Sequence, residues 1–239
     1  MRLDKYLADM QIGSRKEVKG YIKKGWVQVN GITVKQDKYQ VQPEADTVSY
    51  QGVEVRYQKY FYYMLNKPAG VISATTDKQQ KTVIDLLQPT DFRPDLFPVG
   101  RLDKDTEGFV LLSNDGELAH ELLSPKKHVA KEYFAKVSGV MTKEDVVAFA
   151  KGLTLDQGEV ALPGKLQILK VDEVKETSEI SLVISEGKFH QVKRMVQAVG
   201  KKVTYLRRDR IGAVCLDSEL KLGDYRPLTK KEIIALSKS

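Results

Sequence analysis

The sequence predicts an α+β protein in two parts: a small helix-and-hairpin module, then a larger region with a mostly antiparallel sheet and peripheral helices. Three observations lead there. The opening residues pass from a helical apolar period to a hairpin signal. Beyond residue 60, short apolar strands and amphipathic helices interleave without the regular rhythm of a parallel α/β sheet. The chain has 239 residues, 41% apolar and 30% charged, enough for one large domain and a small one.

Leu3, Tyr6, Leu7 and Met10 recur at helical spacing and predict a first helix. Ser14-Arg15-Lys16-Glu17 is a capping box that starts a second, with Val18, Tyr21 and Ile22 inward and Gly25 as its stop. Trp26–Val29 and Ile32–Val34 flank Asn30-Gly31, a pair that tolerates the positive φ of a type I′ hairpin turn. A short strand near Thr47–Tyr50 completes a module of about 55 residues, near the lower limit for independent folding. Tyr50–Tyr60 has no core period and is read as a linker, giving expected domains of 1–58 and 59–239.

In the second part, strands are expected at Phe61–Leu65, Phe109–Ser113, Tyr133–Val137, Leu166–Val171 and Ile180–Ile184. Helices are expected at Val83–Leu87, Glu117–Leu123 and Thr142–Lys151. Val192, Met195, Val196 and Val199 mark another, closed by Gly200, and the capping box Thr229-Lys230-Lys231-Glu232 starts the last.

The net charge of +7 is unevenly placed. Residues 1–30 carry +4, residues 186–210 carry +6, and the remainder sums to −3. Two basic islands on a mildly acidic body point to a polyanion, nucleic acid before membrane, because neither island has a bulky apolar face. The longest apolar run, Tyr60–Leu65, is far below the roughly 18 residues of a membrane span, so a cytoplasmic protein is expected. The single cysteine, Cys215, excludes an internal disulfide and a multi-cysteine zinc site. Its neighbours Val214 and Leu216 predict a buried thiol on a strand. The three histidines form no H-x-x-x-H pair, and no phosphate-binding glycine loop is present. Neither a metal nor a cofactor is expected.

The loop Gly100–Gly108 is polar or glycine at every position but Leu102, and it abuts expected core strands, a common setting for catalytic groups. Within it, Asp105 either holds Arg101 or shapes the turn. Arg207, Arg208 and Arg210 around Asp209 suggest an internal ion network.

Several of these runs resemble known families. Arg2-Leu3-Asp4-Lys5-Tyr6-Leu7, Gly13-Ser14-Arg15-Lys16 and Val27-Gln28-Val29-Asn30-Gly31 resemble the RNA-binding domain named after ribosomal protein S-four. That resemblance implies RNA contacts at Arg2, Lys5, Arg15, Lys16, Lys19, Lys23 and Lys24. Gly100–Gly108 resembles the G-R-L-D-x-D-T-x-G motif of pseudouridine synthases in the RsuA branch, which implies that Asp103 is the catalytic carboxylate. Asn66-Lys67-Pro68-Ala69-Gly70 resembles the family's first motif. Lys131-Glu132-Tyr133 resembles its K-x-Y motif, which implies that Tyr133 lines the uridine pocket. Glu186–Met195 resembles its third motif, which supplies a cation for the aspartate. Many relatives have Arg where Lys193 stands, so either Lys193 or Arg194 faces Asp103. The expected pocket is Tyr133, Lys193, Arg194 and Arg101, with Lys188, His190 and Gln191 touching RNA at a helix start.

The reaction implied moves a ribose from N1 to C5 of the same uracil and needs no redox step or cofactor. The carboxylate attacks base or sugar, or removes a sugar proton. Ser124-Pro125-Lys126-Lys127-His128-Val129-Ala130-Lys131-Glu132-Tyr133 resembles the stretch of the small-subunit (16S) enzymes, and the long basic tail of many large-subunit (23S) relatives is missing. The implied substrate is uridine 516 of 16S rRNA, bare or in an assembling particle, met by a monomer.

Overall fold

The computed structural model describes residues 1–156 and 158–239, and it divides into two compact units, Met1–Lys59 and Tyr60–Ser239. In the first unit, α1 (Leu3–Asp9) and α2 (Arg15–Lys23) lie on a sheet of β1 (Val27–Val29), β2 (Ile32–Thr33), β3 (Val48–Tyr50) and β4 (Val53–Glu54), in the order β2-β1-β3-β4. The capping box forms: Ser14 Oγ accepts from the Glu17 N–H while the Glu17 carboxylate accepts from the Ser14 N–H. Asn30 and Gly31 take φ of 53° and 77°, as the type I′ turn requires. Leu3, Tyr6, Leu7, Val18, Ile22, Val27 and Val29 form the core.

The stretch read as a linker belongs to this unit. Gln51 and Gly52, at φ 48° and 80°, turn the chain so that β4 pairs with β3. Tyr6 Oη donates to the Val55 carbonyl at 2.7 Å, and the Tyr57 ring packs 5.1 Å from that of Tyr6.

The second unit is built on β5 (Tyr62–Lys67), β6 (Phe97–Val99), β7 (Glu107–Ser113), β8 (Lys131–Ser138), β9 (Leu153–Thr154), β10 (Val160–Ala161), β11 (Lys165–Asp172), β12 (Thr177–Ile184), β13 (Lys202–Ile211), β14 (Val214–Cys215) and β15 (Tyr225–Pro227). Its main sheet runs β11-β12-β8-β13-β7-β5-β15, with β6 on β7 and β14 on β13. Only the β13–β7 pairing is parallel among these strands. Helices α3 (Gly116–Leu123), α4 (Lys143–Lys151), α5 (Gln191–Ala198) and α6 (Lys230–Ser237) fall where the periodicity places them. Phe109, Leu111, Met64, Leu118, Leu122 and Leu236 centre a core between the sheet and two of these helices. No helix among the described residues is long and apolar enough to cross a membrane.

Three expectations change. Val83–Leu87 is one turn of 3-10 helix, Ile84–Leu86; Pro89 biases Gln88 away from helical geometry and stops it early. Cys215 lies on a strand, but β14 is a two-residue edge and the thiol is exposed. The ten-residue β13 had no apolar signal, because a buried Arg208 and two bulges interrupt its alternation.

Candidate active site

The site begins with the anchoring of the loop before β7. Lys67, at the end of β5, is fully buried, yet no carboxylate pairs with it. Its ammonium instead donates to the carbonyls of Pro68 (3.1 Å), Asp103 (3.0 Å), Lys104 (3.3 Å) and Thr106 (2.7 Å). Burial pushes the lysine down to about 8, with Asp105, Asp103 and Glu107 opposing that shift. The Gly70 N–H donates to the Lys104 carbonyl at 2.7 Å, and Ser73 Oγ both gives to and takes from the backbone of Leu102. Leu102, Asp103, Lys104 and Thr106 of the loop are thus pinned by the segment 67–73. At its far end, Gly108 has φ 101°, and a Cβ there would collide with the Arg208 carbonyl, so only glycine lets β7 meet β13.

This frame presents Asp103 to α5. Lys193 Nζ lies 2.9 Å from Asp103 Oδ2 and 2.7 Å from Asp105 Oδ1. Burial disfavours the Lys193 charge, but the bonds to Asp105 and Asp103 outweigh it and hold its pKa above the ordinary lysine value. The bond from Lys193 is also the main reason that Asp105 sits below the usual carboxylate range. Asp105 therefore serves the lysine; no bond joins it to Arg101. The other Asp103 oxygen, Oδ1, faces His190 Nε2 at 3.5 Å. Asp103, Asp105, Lys104, His190 and Lys193 line an open cavity of about 410 Å3, with Ala69 and Gly70 on its rim.

The remaining sequence candidates separate. One residue along the helix from Lys193, Arg194 turns away, to Asp156 (2.5 Å) and Glu159 (2.6 Å). Arg101 is exposed and makes no side-chain bond among the described residues. Tyr133 is buried in β8 between Leu182 and Arg208, and is not a wall of the cavity. Gln191 is buried and bonded to Glu186 and to the Lys188 N–H, so it closes the loop rather than facing solvent. Lys188 reaches the Val160 carbonyl and Glu159.

Sequence reasoning missed two groups. Lys67 stood in a quoted motif without a role. Lys131 and Arg208 are both buried beside Tyr133 without a carboxylate. Arg208 Nε donates to the Phe109 carbonyl, while its Nη2 has no partner. Burial, then the charge of Arg208, pushes Lys131 down to about 8. The ion network expected around Asp209 is real but split: Arg207 pairs with Asp209, and Arg210 with Glu132.

In the first unit, Arg2 and Arg15 reach the buried Asp4 at 2.7 and 3.7 Å, and Lys19 reaches Asp37 at 3.6 Å. Lys24 lies over the Trp26 ring. Lys5, Lys16 and Lys23 are exposed and have no carboxylate partner among the described residues.

A carboxylate with one oxygen on a fixed ammonium and the other open to a cavity is equipped to act as nucleophile or base. Comparison with known proteins agrees. Residues 1–47 match the S4 domain. The chain is 48% identical over 237 residues to an uncharacterised RNA pseudouridine synthase of Bacillus subtilis, covering 99% of this chain and 98% of the relative. It is 40% identical to ribosomal large subunit pseudouridine synthase B of the same organism, covering 97% and 93%. To ribosomal small subunit pseudouridine synthase A of Salmonella typhimurium it is 38% identical, covering 99% and 100%. A crystal structure of a pseudouridylate synthase superposes with TM-score 0.68 at 36% identity, covering 99% of each chain. With residues 61–198 matching the RNA pseudouridylate synthase family as well, the chain belongs to that family and is an RNA pseudouridine synthase.

Proposed function

We propose that this enzyme converts one uridine of small-subunit (16S) rRNA, the family's uridine 516, with Asp103 as the reacting carboxylate. The observation that carries the reading is the pairing of Asp103 Oδ2 with Lys193 at 2.9 Å while Oδ1 stays open to the cavity. The ammonium balances the carboxylate where substrate excludes water, and Oδ1 is the atom that reacts. The target uridine must leave its stack, at a cost of a few kcal/mol, to reach Oδ1 in this cavity. Arg101, exposed beside Asp103, meets the RNA backbone. The first unit supplies affinity and placement through Lys5, Lys16 and Lys23, and the setting is the cytoplasm.

The small-subunit choice is supported by residues 124–133. Pro125–Lys127 form a 3-10 turn, with Lys126, Lys127 and His128 exposed at the entry to β8. That puts basic groups at the head of the strand that carries Tyr133. The second reading, a large-subunit uridine, is favoured by the 40% identity to the Bacillus enzyme. Mapping pseudouridine in both rRNAs, with and without the gene, decides. Loss of one site in 16S rRNA alone supports the proposal, and loss only in 23S rRNA overturns it.

A further inference from the structure

Uridine carries hydrogen on C5 and ribose on N1; pseudouridine carries ribose on C5 and hydrogen on N1. When the C1′–C5 bond forms, C5 holds both ribose and hydrogen, and N1 is double-bonded to C6. To finish, the C5–H pair must become the C5–C6 double bond. The C6–N1 π pair returns to N1, which takes a proton. One proton leaves the base and one arrives, with no oxidant or reductant. Some group has to accept the first and deliver the second.

We propose that His190 is that group, shuttling the proton from C5 to N1 of the uracil; this rests on the reading of Asp103 as the reacting carboxylate. Its Nε2 stands 3.5 Å from Asp103 Oδ1, close enough to share a substrate atom yet longer than an ordinary hydrogen bond. An atom that reacts at Oδ1 is therefore within reach of the imidazole. The ring is aimed rather than loose. His190 is the N-cap of α5 in left-handed backbone, φ 49°, and its ring stacks on Phe189 at 3.7 Å and 21°. A non-glycine residue adopts that backbone at some cost, and here it turns the side chain into the cavity.

The other charged groups lining the cavity are committed. Lys193 holds Asp103 and Asp105, and Asp105 is bound to Lys193 in return. Lys104 also lines the cavity, but imidazole is the side-chain type suited to accepting and donating a proton in turn. As C1′ bonds to C5 it leaves Asp103, whose Oδ2 stays on Lys193 and whose Oδ1 faces His190.

The test uses transcribed small- and large-subunit rRNA containing uridine deuterated at C5, in single turnover with the full chain. Loss of N-linked uridine and release of the C5 hydrogen to solvent are followed together. The unmodified protein is expected to show both at one rate, without an isotope effect. His190→Gln, with RNA binding unchanged, is expected to release the C5 hydrogen about 10²–10³-fold more slowly, now with a deuterium isotope effect. His190→Gly is expected to regain release when free imidazole is added. Release at the unmodified rate by His190→Gln overturns the proposal, as does a loss confined to RNA affinity with no isotope effect. Release by Asp103→Asn overturns the carboxylate reading, and the proposal with it.

Discussion

Lys193 Nζ meets Asp103 Oδ2 at 2.9 Å across 90 residues of sequence, and no other cation among the described residues forms a hydrogen bond with that carboxylate. Lys193→Met leaves the carboxylate without its counter-charge in a cavity that substrate closes. Its kcat is expected to fall about 10²-fold or more, whereas Lys193→Arg keeps the charge and stays within about tenfold. Asp105→Asn is expected to keep most turnover, because the Asp105 side chain is 72% exposed and an exposed ion pair contributes little. Single-turnover rates at saturating rRNA check all three.

Lys67 is expected to be a positioning residue for the loop of Asp103. Lys67→Met leaves four carbonyls without their donor, that of Thr106 in buried surroundings and the others part-buried. Stability is expected to drop by about 2–4 kcal/mol, read from urea midpoints. The kcat should fall more than KM rises, since the loop that carries Asp103 loosens while the exposed lysines of the first unit are untouched. A change in KM alone would contradict this.

The exposed, unpaired lysines of the first unit give a salt prediction. Reversing Lys5, Lys16 and Lys23 to Glu is expected to weaken rRNA binding and flatten its salt dependence, by about 0.7–0.9 in log–log slope per lost phosphate contact. Reversing Lys19, already paired with Asp37, should change the slope less. Filter binding across a salt titration reads both.

Glu232 links stability to pH. Arg226 binds its two oxygens at 3.0 and 2.8 Å, and the Thr229 N–H adds a third bond at 2.7 Å. The Arg226 bonds, with smaller help from Thr229, hold the carboxyl down to about 2 against an ordinary 4.5. A depressed acid stabilises the fold above its unfolded value and loses that contribution as pH falls toward its folded one. Glu232→Gln is therefore expected to be less stable than the unmodified protein at neutral pH. The gap should close between about pH 4.5 and pH 2, measured as the difference in urea midpoint.

Much of the site was legible because its chemistry resides in residue types. The loop before β7 stands out as a polar stretch against core strands, the resemblance to the pseudouridine synthase motif singles out Asp103 from Asp105 and Glu107 within it, and the helix of Lys193 shows a clean apolar period. What stayed hidden involves partners that carry no residue signature. Lys67 binds backbone carbonyls, which every residue offers, so nothing at positions 103–106 advertises it. Arg208 sits at an inward position of β13 where an apolar side chain would have revealed the strand. The choice between Lys193 and Arg194 depends on one step of helical rotation and on Asp156 and Glu159, which lie in a separate segment. Tyr50–Tyr60 was read as a linker, and its β4 hairpin missed, because Gln51-Gly52 is a less familiar hairpin pair than Asn30-Gly31.

The central claim is that Asp103 reacts and that the surrounding cations serve it. Asp103→Asn keeps nearly the same shape but acts as neither nucleophile nor base at neutral pH. The purified variant, incubated with unmodified rRNA, is scored for pseudouridine by sequencing after chemical labelling. The expected result is normal folding, rRNA binding like that of the unmodified protein, and no pseudouridine. Formation at a rate comparable to the unmodified protein would contradict the account.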